Sequence, residues 1–162
     1  MKKKTYVLMV SKQFPAYHKR KGEETNFVEK ILVALNSRNF PFPAYDPKIH
    51  TIRKNYTFWE KRIKNILDGK AVLSIRYWLY PGGCYKKGNK QIEICKLDEK
   101  SGIGIQKLED PKNFVYANIN EKMNNWEDIA KNDGLSCDDF GEWFKKCPDD
   151  LMAIIHFTDF RY

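Results

Sequence analysis

The chain has 162 residues, 42% of them hydrophobic and 14% aromatic, which suits one domain with its own core and excludes a disordered polyelectrolyte. Its net charge of +8 is uneven: residues 1–90 carry 20 Lys and Arg against 6 Asp and Glu, whereas residues 91–162 carry 9 against 15. That asymmetry permits a basic face able to attract a polyanion, and with no twenty-residue apolar run a cytoplasmic protein without a membrane partner is expected.

In chain order, Lys2, Lys3 and Lys4 lead into residues 5–11, whose β-branched and aromatic content is that of a strand. The run is too short and too closely bounded by polar residues for a signal segment. Next comes a basic loop holding Lys12, His18, Lys19, Arg20 and Lys21. Such a loop suits an anion, and it suits plain solvation equally. Over residues 22–35 the spacing turns helical: Phe27, Ile31, Ala34 and Leu35 share a stripe, and the early glutamates favour the positive helix end. Pro41, Pro43 and Pro47 then restrict φ and impose a loop.

Residues 48–53 read as an extended strand, with Lys48, His50 and Ile52 on one side and Ile49, Thr51 and Arg53 on the other. Residues 56–67 suit a second helix, its stripe formed by Phe58, Trp59, Ile63, Ile66 and Leu67 and its stop by Asp68-Gly69. A strand over 70–78, which includes Arg76, pairs with its antiparallel neighbour over 90–97. Ile103, Ile105 and Leu108 mark a short strand, and residues 114–116 another. Residues 124–130 begin a helix broken at Asp133-Gly134. Ser136, with Asp139 three residues on, caps a last helix with an apolar face of Phe140, Trp143 and Phe144. Residues 151–158 form the final strand.

This order contains no repeat and no linker, so residues 1–162 are read as one α+β domain. The short strands suggest a small mixed β-barrel with flanking helices rather than a doubly wound sheet. Strands 5–11, 48–53, 70–78, 90–97 and 151–158 are expected in one mixed sheet or partly closed barrel. Trp59, Ile63, Phe140 and Phe144 are expected inside.

Cys84, Cys95, Cys137 and Cys147 include no C-x-x-C pair, and His18, His50 and His156 lack ligand spacing, so neither metal nor cofactor is expected. Phosphate-loop, dinucleotide, H-E-x-x-H and G-x-S-x-G motifs are absent. The chemistry therefore concentrates in residues 48–53. Lys48 can neutralise a phosphate, Thr51 supplies a hydroxyl and Arg53 a planar fork of donors. A solvated edge strand accounts for the same residues.

Lys48-Ile49-His50-Thr51-Ile52-Arg53, then residues 68–75, then residues 130–136 with Phe140 and Trp143-Phe144, together resemble the ASCH domain family of the PUA-like superfamily. The resemblance spans about residues 45–158 and implies a small β-barrel associated with RNA and modified nucleosides. On that basis residues 12–45 are an N-terminal elaboration. Lys12, His18, Lys19, Arg20, Lys21, His50, Arg53 and Arg76 become candidates for binding RNA or a nucleoside or nucleotide. Some small members of the family are amidohydrolases acting on N4-acetylcytidine. Their pattern implies Thr51 as nucleophile, Lys48 as base and Asp133, where the family has a Glu, as acid or proton relay. On an undistorted strand Lys48 and Thr51 point to opposite faces, so a bulge or turn at His50 is expected. A structural or protein-binding role is the remaining reading.

Overall fold

The computed structural model describes residues 2–35, 45–109, 116–147 and 151–162. Among these residues eight strands and four α-helices follow the order β1 (Lys4–Met9), α1 (Phe27–Leu35), β2 (His50–Lys54), α2 (Tyr56–Leu67), β3 (Ala71–Trp78), β4 (Gln91–Leu97), β5 (Gly104–Glu109), β6 (Tyr116–Ile119), β7 (Lys122–Asn125), α3 (Trp126–Asn132), α4 (Cys137–Phe144) and β8 (Met152–His156). The chain is thus mixed α+β. Its strands form two sheets, β1-β3-β4 and β2-β8-β5-β6-β7, rather than the single sheet or barrel expected, and no closed barrel forms among the described residues. In the first sheet β1 runs parallel to β3 and β4 antiparallel to it, whereas every pair in the second is antiparallel.

β8 explains why two sheets make one body. Its residues alternate between two cores. Ala153 and Ile155, with Phe157 just beyond the strand, pack with Leu8, Leu73, Ile75 and the α2 residues Trp59, Ile63 and Ile66. Met152 and Ile154 face the other way, into a cluster with Ile52, Leu108, Trp126, Ile129, Phe140 and Phe144. The second sheet is therefore a middle layer, with the first sheet and α2 on one side and α3 and α4 on the other. Trp59, Ile63, Phe140 and Phe144 are buried as their spacing predicts. Phe14 and Phe27 belong to the second core and Ile31 to the first, so the described part of the segment 12–45 is built into the interior.

Local chemistry sets the boundaries. Ser136 accepts a hydrogen bond from the Asp139 N–H at 3.1 Å and starts α4 as expected. Asn55 caps α2 from a left-handed backbone, accepting from the Phe58 N–H. α1 begins at Phe27, later than its acidic residues suggest, because Asn26 has φ +57° and Thr25 bonds backward to the Ser11 carbonyl. β7 was not expected. It is a polar strand closed onto β6 by Asn120 and Glu121, both at positive φ, the geometry of a tight hairpin turn. Residues 114 and 115 of the expected strand, and the Pro41-Pro43 loop, lie outside the described residues. Among the described residues no helix is long and apolar enough to cross a membrane.

Candidate active site

The site is assembled where the chain enters β2. Pro47 precedes Lys48, whose N–H donates to the Lys30 carbonyl of α1 at 3.0 Å, while the Ile49 N–H donates to the Asn132 carbonyl at the end of α3 at 3.0 Å. Ladder pairing with β8 starts only at His50. Lys48 is therefore outside the strand, and alternation does not govern its direction. No bulge is needed for Lys48 and Thr51 to share a space: both line one small cavity of about 30 Å³, with Val10, Ser11, Arg53 and Asp133.

Lys48 is 1% exposed and Asp133 4%. The Lys48 ammonium donates to Asp133 Oδ1 at 2.7 Å and also to the Asp133 backbone carbonyl. It lies 4.2 Å from the centroid of the Phe27 ring, on whose face a cation is favoured. Asp133 sits at the turn from α3 to α4, followed by Gly134 at φ +80°. A Cβ at position 134 would lie 3.2 Å from Lys48 Cβ, so glycine provides both the backbone sign and the room for the lysine stem. Lys30 closes the turn by donating to the Gly134 carbonyl at 2.6 Å.

Burial strips water from the Lys48 ammonium and pulls its pKa down to about 8, against the opposing attraction of Asp133. Burial alone would push the Asp133 carboxyl up, but the charge of Lys48 and the contact with His50 outweigh it and hold it below the ordinary carboxylate value. The site thus contains a carboxylate and an amine that sheds its proton near neutrality. Such an amine can act as a base beside a hydroxyl. Thr51, 2% exposed, brings a hydroxyl to the lining of the same cavity. Arg53 spends its fork on backbone carbonyls, Met9 at 2.6 Å and Ile52 at 2.9 Å, and so ties β1 of one sheet to β2 of the other.

His50 is buried behind this pair. Its Nε2 is 2.7 Å from the Tyr162 hydroxyl and its Nδ1 is 3.5 Å from Asp133 Oδ1. Burial lowers its pKa, although Asp133 works against that, and leaves the ring neutral. His156, opposite it on β8, is also buried, and burial with the neighbouring His50 drives its pKa to about 2.

The basic loop does not join the cavity. His18 is buried: its Nδ1 accepts the Arg20 N–H at 3.0 Å, which leaves Nε2 to donate to the Asp139 carbonyl at 3.0 Å. Arg20 pairs with Glu23 and Asp139, both at 2.7 Å, and Lys19 lies 3.8 Å from Asp138. Lys21 is exposed. These residues staple the loop to α4 more than they form a free cationic surface. Lys12 differs: it lies over the Tyr77 ring and lines a groove of about 360 Å³ made by residues 9–14 and 78–83 with Glu24. That groove shares Val10 and Ser11 with the small cavity. Arg76 stays within the first sheet, donating to Ser74 and Gln91. Asn132, Tyr162 and Lys30 had no signal in the sequence, since each acts through neighbours distant along the chain.

No disulfide joins the four cysteines. Among the described residues no group of three or more His, Cys, Asp or Glu is placed to hold a metal ion. Comparison with protein-family models, curated proteins and solved structures finds no match to this chain.

Proposed function

We propose that this protein is a hydrolase that cleaves an acyl-amide bond on a nucleoside or related base, with Thr51 as nucleophile and Lys48 as base. The observation that carries the reading is the buried Lys48–Asp133 pair on the same cavity as Thr51. A threonine hydroxyl attacks poorly unless a neighbour takes its proton, and an amine with a pKa of about 8 can do so at neutral pH. In the first half-reaction Thr51 Oγ1 bonds to the acyl carbon as its proton passes to Lys48 Nζ. The carbon–nitrogen bond then breaks and the leaving amine takes the proton from Lys48. In the second half-reaction water adds to the acyl–threonine ester, its proton passing through Lys48, and the acid departs from a restored Thr51. Asp133, held as a carboxylate, orients Lys48 rather than acting as the acid.

The size of the cavity supports a division of the substrate. About 30 Å³ admits a small acyl group or one or two waters and no more. The base would lie in the adjoining groove, where Trp78 and Tyr80 offer aromatic faces. The PUA-like resemblance supports the nucleoside class. The same groove favours a second reading, recognition of RNA or a modified nucleoside without turnover.

The test is a panel of N-acylated nucleosides with product detected by mass spectrometry. The expected result is release of the free acid and amine, lost in Thr51→Val and in Lys48→Met. Turnover at the wild-type rate in Thr51→Val would overturn the assignment. Saturable binding with no product would replace it with the reader.

A further inference from the structure

The polar groups behind Asp133 form a chain with a direction. Asn132 Nδ2 donates to the Tyr162 hydroxyl oxygen at 2.9 Å. That hydroxyl lies 2.7 Å from His50 Nε2. Among the described residues the Tyr162 hydroxyl has no acceptor within hydrogen-bond distance other than His50 Nε2, so its single proton is used only when it is given to Nε2. A neutral imidazole that accepts at Nε2 carries its own proton on Nδ1. Nδ1 faces Asp133 Oδ1 at 3.5 Å, and that oxygen is also the acceptor for Lys48 Nζ at 2.7 Å.

We propose that His50 and Tyr162 are positioning residues: Tyr162 fixes His50 as the Nδ1–H tautomer, and that N–H keeps Asp133 an oriented carboxylate when Lys48 gives up its proton. The proposal rests on the reading of Lys48 as a base. Once Lys48 is neutral, Asp133 loses its cation, and a bare buried carboxylate is costly. Without a second donor it would draw a proton back onto the amine. The His50 Nδ1–H lies 3.5 Å from Asp133 Oδ1 and has no hydrogen-bond partner among the described residues, so it is poised to close on that oxygen as the second donor, and being neutral it adds no charge to repel the Lys48 ammonium.

The surroundings keep both groups neutral. Burial lowers the His50 pKa and raises that of Tyr162. Tyr162 is held by Gln106 of β5, which accepts from its N–H at 3.0 Å and donates to its carbonyl at 3.4 Å. Its ring also packs against His50 and His156. The charged groups that face the cluster from other elements are Lys30 of α1, on the Gly134 carbonyl, Arg53 of β2 and Asp128 of α3. None of them bonds to His50. His156 of β8 is uncharged at neutral pH.

The experiment is substrate-free NMR on the whole chain, reading the His50 tautomer from imidazole ¹⁵N–¹H couplings and the Lys48 midpoint from its ε-carbon. Wild type is expected to show His50 as neutral Nδ1–H. Tyr162→Phe removes only the hydroxyl. It is expected to abolish the single tautomer and to move the Lys48 midpoint up by about half a pH unit, as Asp133 turns wholly to the amine. His50→Asn places an amide donor near the Nδ1 position and should keep the midpoint near wild type, whereas His50→Leu should raise it. An Nε2–H tautomer in wild type, or an unchanged tautomer and midpoint in Tyr162→Phe, overturns the proposal. A wild-type protein that hydrolyses no acylated nucleoside would overturn the proposed reaction while leaving the tautomer result intact.

Discussion

Lys48→Met isolates the energetic consequence of burying this amine. Folding lowers the Lys48 pKa from 10.5 to about 8. Between those values the folded protein binds fewer protons at this site than the unfolded chain does, so stability rises with pH through that window. Below about pH 8 the penalty is complete and flat, and above about 10.5 it is gone. The gap is about two and a half pH units, which at about 1.4 kcal/mol each is about 3–4 kcal/mol. Methionine keeps an unbranched chain of similar reach and removes the charge. It also orphans Asp133, so the sign of the difference at neutral pH combines two opposing effects, and the slope carries the test.

Urea unfolding of both proteins across that pH range measures it. Wild type should gain about 3–4 kcal/mol on Lys48→Met between pH 8 and 10.5. Other groups titrate nearby, with burial raising the Tyr56 pKa to about 12 and the Cys95 pKa to about 11, but they are common to both proteins and cancel in the difference. Parallel profiles would refute the reasoning, because they would mean that the amine titrates alike folded and unfolded.

Two substitutions examine the scaffold around the pair. Gly134→Ala forces a side chain into a left-handed backbone with its Cβ 3.2 Å from Lys48 Cβ, and should cost about 1–3 kcal/mol in urea unfolding while displacing Lys48 in its NMR spectrum. Arg53→Met removes the donors to the Met9 and Ile52 carbonyls and should cost about 2–4 kcal/mol, with hydrogen exchange accelerated in β1 and β2 ahead of β5 and β6.

Much of the secondary structure was legible because its causes are local. Strand patterns marked β3, β4 and β8, the spacing of Trp59, Ile63 and Ile66 marked α2, and Ser136 with Asp139 marked the start of α4. What escaped depends on contacts far along the chain. The division into two sheets follows from β1 pairing with β3 and β2 with β8, choices that no local pattern encodes. The basic loop looked like a free cationic surface because one of the two carboxylates on Arg20 belongs to Asp139 on α4.

Lys48 shows the limit most sharply. Treated as a strand residue, it pointed away from Thr51. In the fold, the N–H groups of Lys48 and Ile49 donate to α1 and α3, the ladder register starts at His50, and the lysine turns into the cavity. The same wedging excludes water from its ammonium, so one set of contacts supplies both the direction of the side chain and its weakened hold on a proton. A lysine at this position in sequence is an ordinary cation. Only the packing of α1, β2 and the α3–α4 turn around it makes it an amine that can act as a base.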